Sequence, residues 1–95
     1  MALFVLACFD HPNALERRLA VRPTHLAWVD ENRDRLKVAG PMFDSAGQMC
    51  GSLFILEAAD EAEVEAFSKA DPYRINDVFG QVEIRGLKVT VGALP

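Results

Sequence analysis

The order in which apolar patterns follow one another constrains this chain most. Residues 2–9 form an unbroken apolar run containing Phe4, Val5 and Phe9, stopped by Asp10-His11-Pro12-Asn13. A short apolar run closed by turn residues reads as a buried strand. Beyond Pro12 a helical rhythm begins with Leu15, Leu19 and Val21 beside Glu16, Arg17 and Arg18. Proline lacks the amide donor and clashes with the preceding turn, so Pro23 is expected to open a new helix over 23–36 rather than continue the first turns. There Leu26, Val29, Arg33 and Leu36 recur near helical spacing, with Asp30, Glu31, Asp34 and Arg35 mostly on the wet side.

Residues 37–43 predict a second strand broken at Gly40-Pro41, hence an edge, a bulge or an early end. Asp44-Ser45-Ala46-Gly47 is turn chemistry. Residues 49–57 predict a third strand, whose Leu53-Phe54-Ile55-Leu56 is too apolar to leave either face fully wet. Asp60 is placed to cap a second helix with Glu61 and Glu63 in its first turn, favourable against the positive helix end. Ala62, Val64, Ala66, Phe67 and Ala70 offer its packing surface, and Asp71-Pro72 ends it. An irregular stretch with Ile75, Val78 and Phe79 follows. Alternation over 82–91 then predicts a last strand whose phase slips by one at Gly86, as at a β-bulge.

Strand, helix, strand, strand, helix, strand is the split-βαβ order. It predicts a ferredoxin-like α+β fold, a four-stranded antiparallel sheet with helices on one face. Ninety-five residues allow one domain, 1–95, with a limited core. The other sheet face is bare and several strands are apolar on both sides, so a homodimer is expected, a second copy covering that face.

Composition narrows the partners. The net charge is −4, and ten Lys and Arg are scattered among fourteen acids, which leaves no basic stripe for nucleic acid. Arg17, Arg18 and Arg22, the densest basic group, read as a solvated helix face. Cys8 and Cys50 lie in apolar runs and read as inert core thiols. The apolar N-terminus lacks a basic leading segment and stops too soon to span a bilayer. A cytoplasmic protein with no membrane partner is the expectation.

Little reactive chemistry is available. No metal-ligand spacing and no glycine-rich phosphate loop occurs, so neither a metal nor an organic cofactor is expected. His25 lies in the first turns of the expected main helix, next to its apolar stripe. Imidazole is the side chain whose charge changes near neutral pH, so a histidine facing a helix–sheet cavity could move protons. It could equally be a half-packed boundary residue. Asp71, in Ala70-Asp71-Pro72-Tyr73, is either a turn starter or a carboxylate that orients His25. Set against the negative C-terminal end of the second helix, it would sit unfavourably. Asp10 could cap the next helix or line a pocket mouth. Tyr73 could lend its phenol to the site or pack at its rim, and His11 reads as exposed.

Ordered short motifs add a further reading. Glu16-Arg17-Arg18-Leu19 with Val21-Arg22-Pro23-Thr24-His25-Leu26, then Ala39-Gly40-Pro41, Gly51-Ser52 and Ala70-Asp71-Pro72-Tyr73, resemble the YciI-like family nearly end to end. The resemblance implies a ferredoxin-like fold pairing as a dimeric α/β barrel, and an active site built on a His-Asp pair, here His25 and Asp71. It implies that Arg22 is an anion-binding side chain. A small-molecule ligand is expected near Arg22, Trp28, Tyr73 and Asp10. One branch of the family removes chloride from a hydroxylated aromatic ring, which implies cofactor-independent general acid/base chemistry of the lyase or dehydrochlorinase type. The short loop between Gly40 and Gly51, and Trp28 where a smaller aliphatic is common, depart from the family pattern. The alternative is a non-catalytic ligand-binding or accessory dimeric module, favoured if His25 and Asp71 stand beyond hydrogen-bond reach with no cavity beside them.

Overall fold

The computed structural model describes residues 1–95. Its elements are strand β1 (Ala2–Asp10), helix α1 (Leu15–Glu31), a 3-10 turn (Arg33–Arg35), strands β2 (Leu36–Phe43) and β3 (Met49–Ala58), helices α2 (Glu61–Lys69) and α3 (Pro72–Ile75), and strand β4 (Phe79–Leu87). The sheet order is β2-β3-β1-β4, every neighbouring pair antiparallel. This is the ferredoxin-like α+β arrangement.

Strand parity sorts the side chains onto two faces. Phe4, Leu6 and Cys8 of β1 sit beside Phe54, Leu56 and Ser52 of β3 and are buried under the helices. Val64 and Phe67 of α2 close the same core. Val5, Ala7 and Phe9 point the other way, next to Ile55, Leu53 and Gly51. No element of the chain covers that second face.

Local chemistry sets most boundaries. Asp60 caps α2, its Oδ1 accepting the Glu63 amide at 2.9 Å, while Glu63 Oε2 accepts the Ala59 amide at 3.2 Å. The β2–β3 turn closes through Asp44 Oδ1, which accepts the Ala46 and Gln48 amides, with Gly47 at φ 81°. Pro41 is tolerated because β2 is an edge strand.

The structure departs from the sequence pattern at five places. Helix α1 runs through Pro23 instead of restarting there, and it ends at Glu31, five residues before the expected end. Pro23 and Leu19, the residue whose carbonyl loses its donor, both lie on the exposed side, where water can replace the missing bond. Leu36 opens β2 rather than closing the helix. The inward stripe of α1 is Ala14, Arg18, Val21, His25 and Trp28, while Leu19 and Leu26 are half exposed. Arg18 is therefore not part of a solvated face. In α2 the alanines are exposed, and Val64, Phe67 and Ser68 carry the packing.

The fifth departure concerns β4. Pairing passes through Gly86 without a slip, and the irregularity falls where Phe9 faces Gln81 and Asp10 faces Phe79, one extra residue at Gly80. The strand stops at Leu87, so Val89 and Val91 lie outside it.

Candidate active site

Two residues seven apart on α1, Arg18 and His25, share its inward face because seven residues span two helical turns. Both are buried. His25 Nδ1 lies 2.8 Å from Asp71 Oδ1. The carboxylate can only accept, so Nδ1 carries the proton and Nε2 is the free nitrogen.

Asp71 owes its position to the α2–α3 junction. Proline after it breaks the helix and is well suited to the first turn of the next one. Asp71 becomes the N-cap of α3, its Oδ1 accepting the Tyr73 amide at 2.9 Å. The carboxylate thus stands at the start of a helix, a favourable place, and not merely against the negative end of α2. Oδ2 is buried with no partner, a costly state that turn formation does not require.

Tyr73 is stacked on His25, ring centroids 3.9 Å apart and planes 19° from parallel. The Arg18 guanidinium lies 4.3 Å from the Tyr73 ring centroid. Burial pushes the Tyr73 phenol up, against the opposing pull of Arg18 and Arg22, so it stays a neutral donor at physiological pH. Arg18 is pinned from behind: Nε donates to Asp10 Oδ2 at 2.8 Å, and Nη2 donates to Asp10 Oδ1 at 3.1 Å and Ser52 Oγ at 2.8 Å.

A cavity of about 140 Å³ opens between α1 and strands β2 and β3. Arg18, Arg22, His25, Ser52 and Tyr73 supply its polar wall; Leu26, Val29, Pro41 and Phe54 supply its apolar wall. Of the residues singled out from sequence, His25, Arg22 and Tyr73 line it, and Asp71 stands behind His25. Trp28 does not line it: the indole packs on Phe67, with ring centroids 4.7 Å apart, and edge-on to Phe54. Asp10 neither caps α1, whose N-cap is Ala14 without a side-chain bond, nor lines this cavity; it clamps Arg18. Arg18 and the role of Ser52 were missed. The helical spacing from Arg18 to His25 was the signal that could have found the arginine.

Cys8 is sealed in the core, and burial pushes its thiol up to about 12, with Asp71 adding to the rise. Cys50 is partly exposed. No three His, Cys, Asp or Glu side chains gather as metal ligands, and no helix is long and apolar enough to cross a membrane.

The model of the YCII-related domain matches residues 2–88. The chain belongs to this family. It is 37% identical over 94 residues to Protein YciI of Escherichia coli O6:H1 and, to the same extent, to Protein YciI of Shigella flexneri, covering 90% of this chain and 96% of each relative. Among solved structures it is similar to 5-chloro-2-hydroxyhydroquinone dehydrochlorinase, TftG, from Burkholderia phenoliruptrix AC1100, in complex with 2,5-dihydroxybenzoquinone. That match has 27% identity and a TM-score of 0.84 over 90% of this chain and 93% of the other. An antibiotic biosynthesis monooxygenase shares the fold at 17% identity and a TM-score of 0.56, over 96% of this chain and all of the other. These neighbours place this YCII-family chain in the dimeric α/β barrel fold group.

Proposed function

We propose that this YCII-family chain is a cofactor-independent enzyme in which His25, oriented by Asp71, acts as general acid and base on a small ring-bearing molecule. The observation that carries the reading is the 2.8 Å contact between His25 Nδ1 and Asp71 Oδ1 in the wall of a cavity. A carboxylate on Nδ1 holds the imidazole in one tautomer and leaves Nε2 for the ligand. The unpartnered Asp71 Oδ2 supports the same reading, because buried unsatisfied groups persist where function maintains them. A separated pair without a cavity would have favoured the non-catalytic alternative; the contact and the cavity beside it support the catalytic reading.

The likeness to TftG supports a lyase or dehydrochlorinase type of reaction. In such an elimination a proton from a ring hydroxyl is passed by His25 to the ring carbon that bears the leaving group, and Nε2 then takes a second hydroxyl proton as the leaving group departs with its bonding electrons, leaving a quinone. Arg22 and Tyr73 contact the ligand; Trp28 and Asp10 support the walls behind it.

The working unit is a homodimer in which a second copy covers the open sheet face of Val5, Ala7, Phe9, Leu53 and Ile55. Sedimentation velocity should give twice the chain mass, and a stable monomer would overturn this part.

Chlorinated hydroxyhydroquinones, assayed by chloride release, form the first substrate panel. On a turned-over substrate, His25→Asn should retain the fold and lose roughly 10²–10⁴-fold in kcat. Undiminished turnover in the folded variant would remove His25 from the mechanism.

A further inference from the structure

We infer that the cavity selects a single-ring organic anion, its oxyanion held on Nη1 of Arg18, over the neutral molecule of the same shape. The inference rests on the cavity being the place where a small molecule binds, and goes beyond it by naming the ligand's charge and its receptor.

The cavity wall carries two permanent cations, Arg18 and Arg22, and no Asp or Glu. Asp10, the partner of Arg18, lies outside it.

Arg18 has five N–H groups. The one on Nε and the two on Nη2 are taken by Asp10 and Ser52. The two on Nη1 meet no carboxylate or backbone carbonyl; the one protein acceptor near the guanidinium that is not already engaged is the Tyr73 phenol. Asp71 Oδ2 is the one fully enclosed polar side-chain atom without a partner, so Nη1 is not sealed in. Arg18 borders the cavity, and Nη1 is the edge of its guanidinium left for a ligand there. A guanidinium clamped by a carboxylate and a serine, and packed on Tyr73, is held in one plane before any ligand arrives. Such a fork suits an enolate, phenolate or carboxylate oxygen, and charge-assisted bonds are the strong ones. The neutral Tyr73 phenol adds a further donor in the same wall.

About 140 Å³ is close to the volume of an apolar protein cavity that holds benzene, so it accommodates one ring. Phe54, Pro41 and Val29 are the apolar surfaces against which it lies.

Benzoate and benzamide have nearly the same shape and differ in charge, so titration calorimetry with the full chain decides the matter without turnover. Benzoate should bind roughly tenfold or more tightly than benzamide, the worth of a hydrogen bond to a charged group. Equal affinity, tighter benzamide, or no benzoate binding at millimolar concentration would overturn the inference. Arg18→Lys keeps the charge and loses the planar fork; it should weaken benzoate roughly tenfold and leave benzamide unchanged. The wild-type pair of titrations still decides if that variant does not fold. His25→Asn should keep the benzoate preference. Its loss there would assign the selection to His25 and overturn the role of Arg18. A failed turnover test on His25 leaves these binding results standing, so the two proposals fail separately.

Discussion

The chain contains two histidine–aspartate pairs of similar length and opposite character. His25 and Asp71 meet at 2.8 Å with 10% and 2% of their side chains exposed; His11 and Asp77 meet at 3.1 Å with 41% and 83% exposed. Distance does not separate them. Burial does, together with what stands around each: His25 is stacked on Tyr73 in a cavity wall, whereas His11 sits at the loop after β1, close above Gly80. Water screens an exposed pair and competes for its hydrogen bonds, so its coupling is small. In the interior the same contact fixes tautomer and orientation, and removing one partner strands the other.

The largest expected contrast is in activity. His25→Asn should abolish most turnover, as set out above, while His11→Asn should change kcat and stability little, within about 0.5 kcal/mol for stability. Equal effects of the two substitutions would erase the distinction.

The arginines beside the two pairs extend it. Arg17 donates to the Asp77 carbonyl at the surface, and Arg18 is locked to Asp10 inside. Arg18→Met strands a buried carboxylate and should cost about 3–5 kcal/mol in urea unfolding. Arg17→Met should cost less than about 1 kcal/mol. A mild Arg18→Met would mean that Asp10 reaches water.

A smaller effect comes from the thiols. Native Cys8 should resist iodoacetamide while Cys50 reacts, because the thiolate is the nucleophile and burial disfavours it at Cys8. Cys8 has its folded value raised from 9.0 to about 12, so above pH 9 the unfolded chain loses a proton that the folded one keeps. Its contribution is complete below pH 9 and is lost as pH rises toward 12. Denaturation midpoints of Cys8→Ala should therefore fall less steeply above pH 9 than those of the wild type.

The smallest effect tests the outer pair by steric means. A Cβ at Gly80 would stand 2.8 Å from His11 Nδ1, at the end of a partly exposed side chain that can swing away. Gly80→Ala should displace His11 from Asp77 and leave kcat unchanged, which an assay beside a thermal melt would check. At Gly51 the same addition runs into the Cys8 carbonyl, backbone that cannot yield so easily, and melting should fall much further.

Chain order and local chemistry carried the architecture. Apolar runs, the Asp60 cap, the Asp44 turn and the Asp71-Pro72 break act within a few residues of sequence, and each set a boundary or a turn found in the structure. The motif resemblance pointed to His25 and Asp71, 46 residues apart; only the packing of α1 against α3 shows that they touch. Other features were decided by the tertiary structure alone. Leu19 and Leu26 look like core residues by pattern, yet α1 turns Arg18 and His25 inward because Asp10, Ser52 and Asp71 wait there to satisfy them. The unbroken course of α1 through Pro23 depends on which side of the helix faces water. The bulge moved from Gly86 to Gly80 because register is settled between strands, not along one of them. A buried charge is stable only beside its partner, and partners far apart in sequence meet only when the sheet and helices have been packed.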